Sequence, residues 1–226
     1  MKMSNERRRY RSAVRDEAAS ENRARILEAA IRLLGTPDMS ATSMEAVAKA
    51  AGVTRLTVYN QFGSRGALFE EVFDELARRG DLARIPEAMA MSDPQAALTR
   101  LIEIFCDFWG SDPAVDRLNR AASMDEEFAS ALAARHERRR KALSALVQRL
   151  AEAGHMAPEN SAAASDVLFA LTSPEFYRTL STGRRKKRAT CALVLRLCNA
   201  AIGEFGSQRP LQATAARPAS RSKAEI

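Results

Sequence analysis

Apolar positions recur at three- and four-residue spacing along most of the chain, and no stretch alternates cleanly with period two. The pattern predicts helices and no sheet. Ser20 reads as an N-cap, with Glu21 near the positive helix end, and Ile26, Leu27, Ala30, Ile31 and Leu34 then form one apolar face. Gly35 and Pro37 close this first helix. Thr42-Ser43-Met44-Glu45 has the T-x-x-E form of a capping box and opens a second helix with Met44, Val47, Ala48 and Ala51 inward. Gly52 stops it, and Val53 is placed to plug the turn. Thr54 caps a third helix, Arg55 to Phe62, with Leu56, Tyr59 and Phe62 at helical spacing. Gly63-Ser64 breaks the chain again, and Ser64 caps a fourth helix carrying Leu68, Phe69, Val72, Phe73 and Leu76.

Beyond residue 80 the helical pattern persists. Asp93-Pro94 opens a helix through Trp109 with Leu98, Leu101, Ile102 and Phe105 inward, and Gly110 to Pro113 is a turn before a shorter helix. A long helix is expected from about Asp125 to Ala153, closed by Gly154. Its middle, RHERRRK at 135–141, is so polar that it should face solvent on most sides. Two further helical stretches follow, about 160–180, with an irregularity at Ser173-Pro174, and about 186–205. There is no internal repeat.

Composition supports this reading. Hydrophobic residues make up 46% of 226 residues, enough for one or two domains with a buried core. Ala, Leu, Arg and Glu dominate, which favours helix. The net charge of +7 suits a polyanionic partner, though many basic proteins bind no DNA. The three cysteines, Cys106, Cys191 and Cys198, form neither a disulfide framework nor a zinc site, and Cys191 and Cys198 share a helix face as small core residues. The first twenty residues lack the apolar stretch of a signal peptide, and no run of about 18 apolar residues suggests a membrane span, so a cytoplasmic location is expected.

Two short helices joined by a glycine turn, the second polar on its outside, describe a helix-turn-helix. A helix that enters the major groove must bury one face on a support and offer hydrogen-bonding side chains on the other. Leu56 is ambiguous by this test: it faces the core or a thymine methyl.

The segment TSMEAVAKAAGVTRLTVYNQFGSRGALFEEVF resembles the N-terminal DNA-binding domain of the TetR family of bacterial transcriptional regulators. The matching pieces are Thr42-Ser43, Val47-Ala48, Ala51-Gly52-Val53, Tyr59 to Phe62 and Arg65 to Leu68, within about residues 20–78. Two positions depart from the family pattern: Arg65 replaces the usual lysine, and Gly66 replaces a frequent acidic residue. The resemblance implies an all-α fold, with a three-helix DNA-binding domain at 20–80 and a helical ligand-binding and dimerisation domain at 81–206. Residues 1–19 are then a basic arm, either disordered or lying along a DNA groove, and 207–226 a disordered tail.

The resemblance also implies roles. Thr42, Ser43, Tyr59 and Arg65 would contact phosphates, and Arg55, Thr57 and Asn60 would face base edges. Thr54 would cap its helix and touch base or phosphate. The partners implied are a palindromic double-stranded operator, a second copy of the chain and a small hydrophobic ligand, with no cofactor and no membrane. Val167, Leu168, Leu171, Leu193, Leu197 and Cys198 are interface candidates or intrachain core. Phe105, Phe108, Trp109, Met124, Phe128, Phe169, Phe176 and Tyr177 are the large side chains available to a ligand pocket.

Rival functions have less support. His136 and His155 are not at metal-ligand spacing, and the chain holds no phosphate-binding glycine loop, G-x-S-x-G or H-E-x-x-H, so an enzyme is not expected. The alternative is a non-sequence-specific architectural DNA-binding protein, but acidic residues accompany the basic ones on most helices. The basic run 184–188 is a solvated loop or a second nucleic-acid contact.

Overall fold

The computed structural model of the chain describes residues 2–36, 42–181, 183 and 185–207, with side chains from Glu17 onward except those of Met124 and Ser207. The expectations for Pro37, Arg184, the tail beyond Ser207 and the side chains of the basic arm up to Asp16 lie outside the described residues. The fold is all-α, with 84% of residues helical and no strand among those described. In chain order the helices are α1 (Lys2–Leu34), α2 (Met44–Ala51), α3 (Arg55–Phe62), α4 (Arg65–Arg79), α5 (Ile85–Ala90), α6 (Pro94–Trp109), α7 (Pro113–Ala121), α8 (Glu126–Glu152), α9 (Ser161–Leu171), α10 (Pro174–Leu180) and α11 (Lys187–Ser207).

The helix boundaries follow local chemistry, with two corrections. The backbone of α1 is already helical from Lys2, so Ser20 lies inside the helix and does not cap it. Residues 2–19 contain neither Gly nor Pro and are rich in helix formers, so nothing stops the helix short of Gly35. At α2 the cap is Ser43, whose Oγ accepts the Ala46 N–H at 3.1 Å. Thr42 is turned inward at 2% exposure, so the expected capping box is replaced by a simple serine cap one residue later. The expected break at Ser173-Pro174 is present: Ser173 Oγ accepts the Phe176 N–H at 3.1 Å, and Pro174 takes the first position of α10, where no N–H is needed.

One apolar cluster runs through both halves of the molecule. Ile26, Ala30 and Leu34 of α1, Val47 of α2, and Val58 and Phe62 of α3 pack against Phe69 and Val72 of α4. Helix α4 then carries the cluster onward through edge-on aromatic pairs, Phe69 with Phe128 at 5.5 Å and Phe73 with Phe108 at 5.6 Å. Several arginines act as helix C-caps in place of solvent, satisfying carbonyls that the last turn leaves open. Arg32 reaches Ala50 O at 3.2 Å, Arg117 reaches Leu34 O at 2.9 Å, and Arg149 reaches Met89 O at 3.0 Å.

The polar centre of α8 faces solvent on most sides, as 135–141 is expected to, but one side of it is turned into the protein. Phe128, Leu132, Arg139, Leu143, Leu146 and Leu150 form the buried stripe, and that stripe passes through the arginine-rich segment. Glu137 and Arg138 are exposed, Arg135 and His136 are half-buried, and Arg139 is buried. Helix α11 behaves differently. Cys198 is core, but Cys191 is half-buried, and much of the helix is open. By length and composition alone Lys187–Gly206 is apolar enough to cross a membrane, unlike the expectation from the sequence, yet only 22% of it is buried within the chain.

Candidate nucleic-acid interface

The turn between α2 and α3 is built around Gly52, whose φ of 67° and ψ of 35° lie in the left-handed region. Its N–H meets Lys49 O at 3.2 Å, and the Val53 N–H meets Ala48 O at 3.0 Å, the paired bonds of a Schellman ending. Val53 packs half-buried against the core, as the plug expected for it. A Cβ on Gly52 would meet nothing within 4 Å, so glycine is required there by backbone conformation and not by space.

Thr54 caps α3: its Oγ1 accepts the Thr57 N–H at 3.1 Å and shares a hydrogen bond with Thr57 Oγ1 at 2.8 Å. Val58 and Phe62 face inward, at 0% and 7% exposure. The opposite face presents Arg55, Leu56, Tyr59 and Asn60, all exposed. Leu56 is 67% exposed, which settles its ambiguous facing outward. Arg55 Nη2 donates to Tyr59 Oη at 3.3 Å, and its guanidinium stands 5.3 Å over the tyrosine ring. This contact raises the Arg55 pKa above its ordinary value, so the side chain is a fixed cation.

The supports of α3 come from three helices. Arg23 of α1 donates to Gln61 O at 3.1 Å, covers the Phe62 ring at 4.6 Å and pairs with Glu71 of α4 at 2.7 Å. Ser64 caps α4 by accepting the Ala67 N–H at 3.0 Å, and its hydroxyl donates to Glu127 Oε2 of α8 at 2.6 Å. Gly66 lies directly under that carboxylate. A Cβ there would sit 2.5 Å from Glu127 Oε2 and 2.8 Å from Glu127 Cβ. The departure from the family pattern at Gly66 therefore has a steric reason: α8 approaches the start of α4 too closely for a side chain.

Of the other residues expected to meet DNA, Ser43 is exposed at the start of α2 and Thr57 is half-buried. Arg65 is half-buried, with its guanidinium 5.0 Å over the Phe69 ring and its Nε unpartnered among the described residues. Thr42 is the exception: its inward position leaves almost no surface for a phosphate.

Behind α3, helices α4, α6 and α8, with Leu82 and the start of α5, line a partly open cavity of about 340 Å³. Phe105, Phe108 and Trp109, three of the residues expected to meet a ligand, line it, together with Phe73 and the basic side chains Arg135, His136, Arg138 and Arg139. Phe128 instead packs on Phe69, and Phe169 lies beneath the guanidinium groups of Arg139 and Arg140 at 3.9 and 4.0 Å. Phe176 and Tyr177, on α10, do not line this cavity, and the Met124 side chain lies outside those described. Trp109 Nε1 donates to Thr172 O at 3.0 Å, which fixes the indole in the wall. Burial and the nearby Arg139 charge lower the His136 pKa, so its imidazole is neutral at pH 7. Burial lowers Arg139 to about 10.

The sequence reading missed the cavity's basic residues because a run of arginines suggests a solvated face. The signal was the spacing: Leu132, Arg135 or His136, Arg139 and Leu143 continue one three-and-four register. Among the described residues no group of three or more His, Cys, Asp or Glu gathers to hold a metal.

Comparison with known proteins agrees with this geometry. Residues 26–72 match the family described as bacterial regulatory proteins, tetR family. The chain is 37% identical over 106 residues to the HTH-type transcriptional regulator EthR of Mycolicibacterium smegmatis, covering 46% of this chain and 49% of that protein. It is 34% identical over 87 residues to AcrR of Shigella flexneri, covering 38% and 40%. The matched segments thus span about half the length of these relatives or less. In fold it resembles the TetR-family regulator PfmR of Thermus thermophilus, with a TM-score of 0.61 at 22% identity over 77% of this chain and 97% of that one. A TetR-family regulator of Mesorhizobium loti gives 0.56 at 20% identity over 83% and 96%.

Proposed function

We propose that this chain, a member of the TetR family of bacterial transcriptional regulators through its N-terminal domain, is a cytoplasmic, ligand-responsive repressor that binds a palindromic operator as a homodimer. The observation that carries the DNA reading is the exposed face of α3, where Arg55, Leu56, Tyr59 and Asn60 project from a helix anchored on its other side. In this reading residues 20–80 are the DNA-binding domain and 81–206 the regulatory domain. Ser43, Tyr59 and Arg65 set position on phosphates, while Arg55, Thr57 and Asn60 read bases, with Arg55 bidentate to guanine and Leu56 against a thymine methyl.

The dimer reading is supported by α11, long and apolar yet only 22% buried within one chain. Val167 and Leu197, each 36% exposed, mark the face that a second copy would cover, whereas Leu168 and Cys198, at 0%, belong to the chain's own core. Two-fold symmetry would set the two α3 helices one helical turn of DNA apart, or a multiple. Ligand response is supported by continuity. Phe73 of α4 lines the cavity, and Arg135, also in its wall, pairs with Glu70 and Asp74 of α4 at 3.3 and 2.8 Å. A ligand that moves these walls would move α4, and with it α3, changing the spacing of the two recognition helices.

The test is a salt titration of binding to a palindrome from the protein's own upstream region and to random DNA. Regulator function predicts at least about a thousand-fold preference for the palindrome at physiological salt. Equal affinity for both would leave the architectural reading.

A further inference from the structure

The cavity between α4, α6 and α8 contains a cation with no counter-charge. Arg139 is 7% exposed. Its Nη1 donates to two neutral acceptors, Phe169 O at 2.9 Å and Thr172 Oγ1 at 2.8 Å. Its Nε is buried without a partner, and its Nη2 makes no hydrogen bond among the described residues. The neighbouring arginines differ in charge balance: Arg135, whose Nε is likewise buried without a partner, pairs with Glu70 and Asp74, Arg140 pairs with Asp166, and Arg138 is exposed. Among the described residues no carboxylate lies within 4.0 Å of Arg139, and exposed Glu175 of α10 acts on it only from longer range. Arginine is almost never buried unpaired, because an uncompensated charge in a low-dielectric interior is costly.

Capping α9 through Phe169 O accounts for one nitrogen. It leaves Nη2 without a hydrogen bond among the described residues, on a guanidinium that lines the cavity and lacks the carboxylate it would pair with best. The rest of the cavity suits such a ligand. No Asp or Glu lines it, its other ionisable side chains are basic or neutral, and Phe73, Phe105, Phe108 and Trp109 supply the apolar wall. The geometry points to Arg139 as the anchor for an amphipathic organic anion, a carboxylate carried on an apolar body that lies against Phe105, Phe108 and Trp109. The inference rests on the reading of this cavity as the effector site and gives that effector a charge.

The experiment uses the full chain and a matched pair of probes, decanoate and decanol, followed by calorimetry and by the fluorescence of Trp109, the single tryptophan. Decanoate should bind about ten-fold or more tightly than decanol, since a charge-assisted pair is made only by the carboxylate. Arg139→Gln should reduce the ratio to near one by weakening decanoate alone, and Arg139→Lys should retain a preference for the carboxylate. Circular dichroism checks that each variant folds. If Arg139→Gln does not fold, the wild-type ratio and the lysine variant decide. Equal binding of the two probes by the wild type, binding of neither, or an undiminished ratio in folded Arg139→Gln overturns the assignment. Operator affinity is read in the same titrations: an Arg139-dependent preference without a change in DNA binding upholds the anion site and defeats the ligand-responsive reading.

Discussion

Arg55 and Arg139 each stack on an aromatic ring, yet they represent opposite uses of the same side chain. Arg55 stands over Tyr59 on an exposed helix face, and its pKa is raised. Arg139 stands over Phe169 in the interior, and burial lowers it to about 10. At the surface, water solvates a guanidinium until DNA replaces it, so the free protein bears little cost for the waiting cation. In the core water does not solvate the group in the meantime, and every hydrogen bond it makes or lacks enters the stability of the fold. The first region offers its cation to solvent until DNA arrives, and the second holds its cation on Phe169 O and Thr172 Oγ1 inside the fold, where only a ligand could add a counter-charge.

Truncation should separate the two regions most sharply. Arg139→Ala strips Phe169 O and Thr172 of their donor and uncovers the stacked ring, and should cost about 3 kcal/mol in chemical unfolding. Arg55→Ala should stay within about 0.5 kcal/mol in the same assay. Equal losses would erase the distinction.

The junction between the regions comes next. Gly66→Ala places a methyl group against Glu127 and should cost about 1–3 kcal/mol by overpacking. Glu127→Ala removes two of the three nearest atoms, so the double mutant should recover part of that loss. Strict additivity would show that α8 does not rest on α4 as described. On the DNA-facing side, Tyr59→Phe should weaken binding to all sequences by a similar factor, worth about 0.5–1.5 kcal/mol in a mobility-shift titration. A change confined to one operator position would make Tyr59 a base reader.

The smallest effect concerns an exposed network that neither region uses. Hydrogen bonds from Arg78, and then from Arg79, lower the Glu75 carboxyl from 4.5 to about 2 despite some opposing burial. A folded-state pKa below the unfolded value contributes stability above pH 4.5, lost as the pH falls toward 2. The melting temperature of Glu75→Gln should therefore fall less than that of the wild type over this window, by a small margin given solvent screening.

These contrasts also explain what the sequence made legible. The helix-turn-helix could be read because its signals are local: Gly52 in a left-handed turn, Thr54 and Ser64 as caps, and apolar positions at fixed spacing. The outward facing of Leu56 was not legible, because an apolar residue on a short helix suits either face until Val58 and Phe62 are seen to fill the inner one. The cap at α2 shifted from Thr42 to Ser43 because tertiary packing drew the threonine inward. The cavity was least visible. Its character depends on Arg139 meeting Phe169 and Thr172, contacts between residues far apart in the chain. Composition misled there, since seven polar residues in a row resemble a solvated face while the helical register carries Arg139 into the core and leaves Arg135 and His136 half-buried.

The central claim, that α3 reads bases through its exposed face, is tested most directly by selecting binding sites from a random DNA library with the wild type and Arg55→Ala. The account predicts a palindromic consensus for the wild type. It predicts the same consensus for the variant with preference relaxed at one position per half-site, a loss of about 1–3 kcal/mol there. No enriched consensus, or an identical consensus from both proteins, would contradict it.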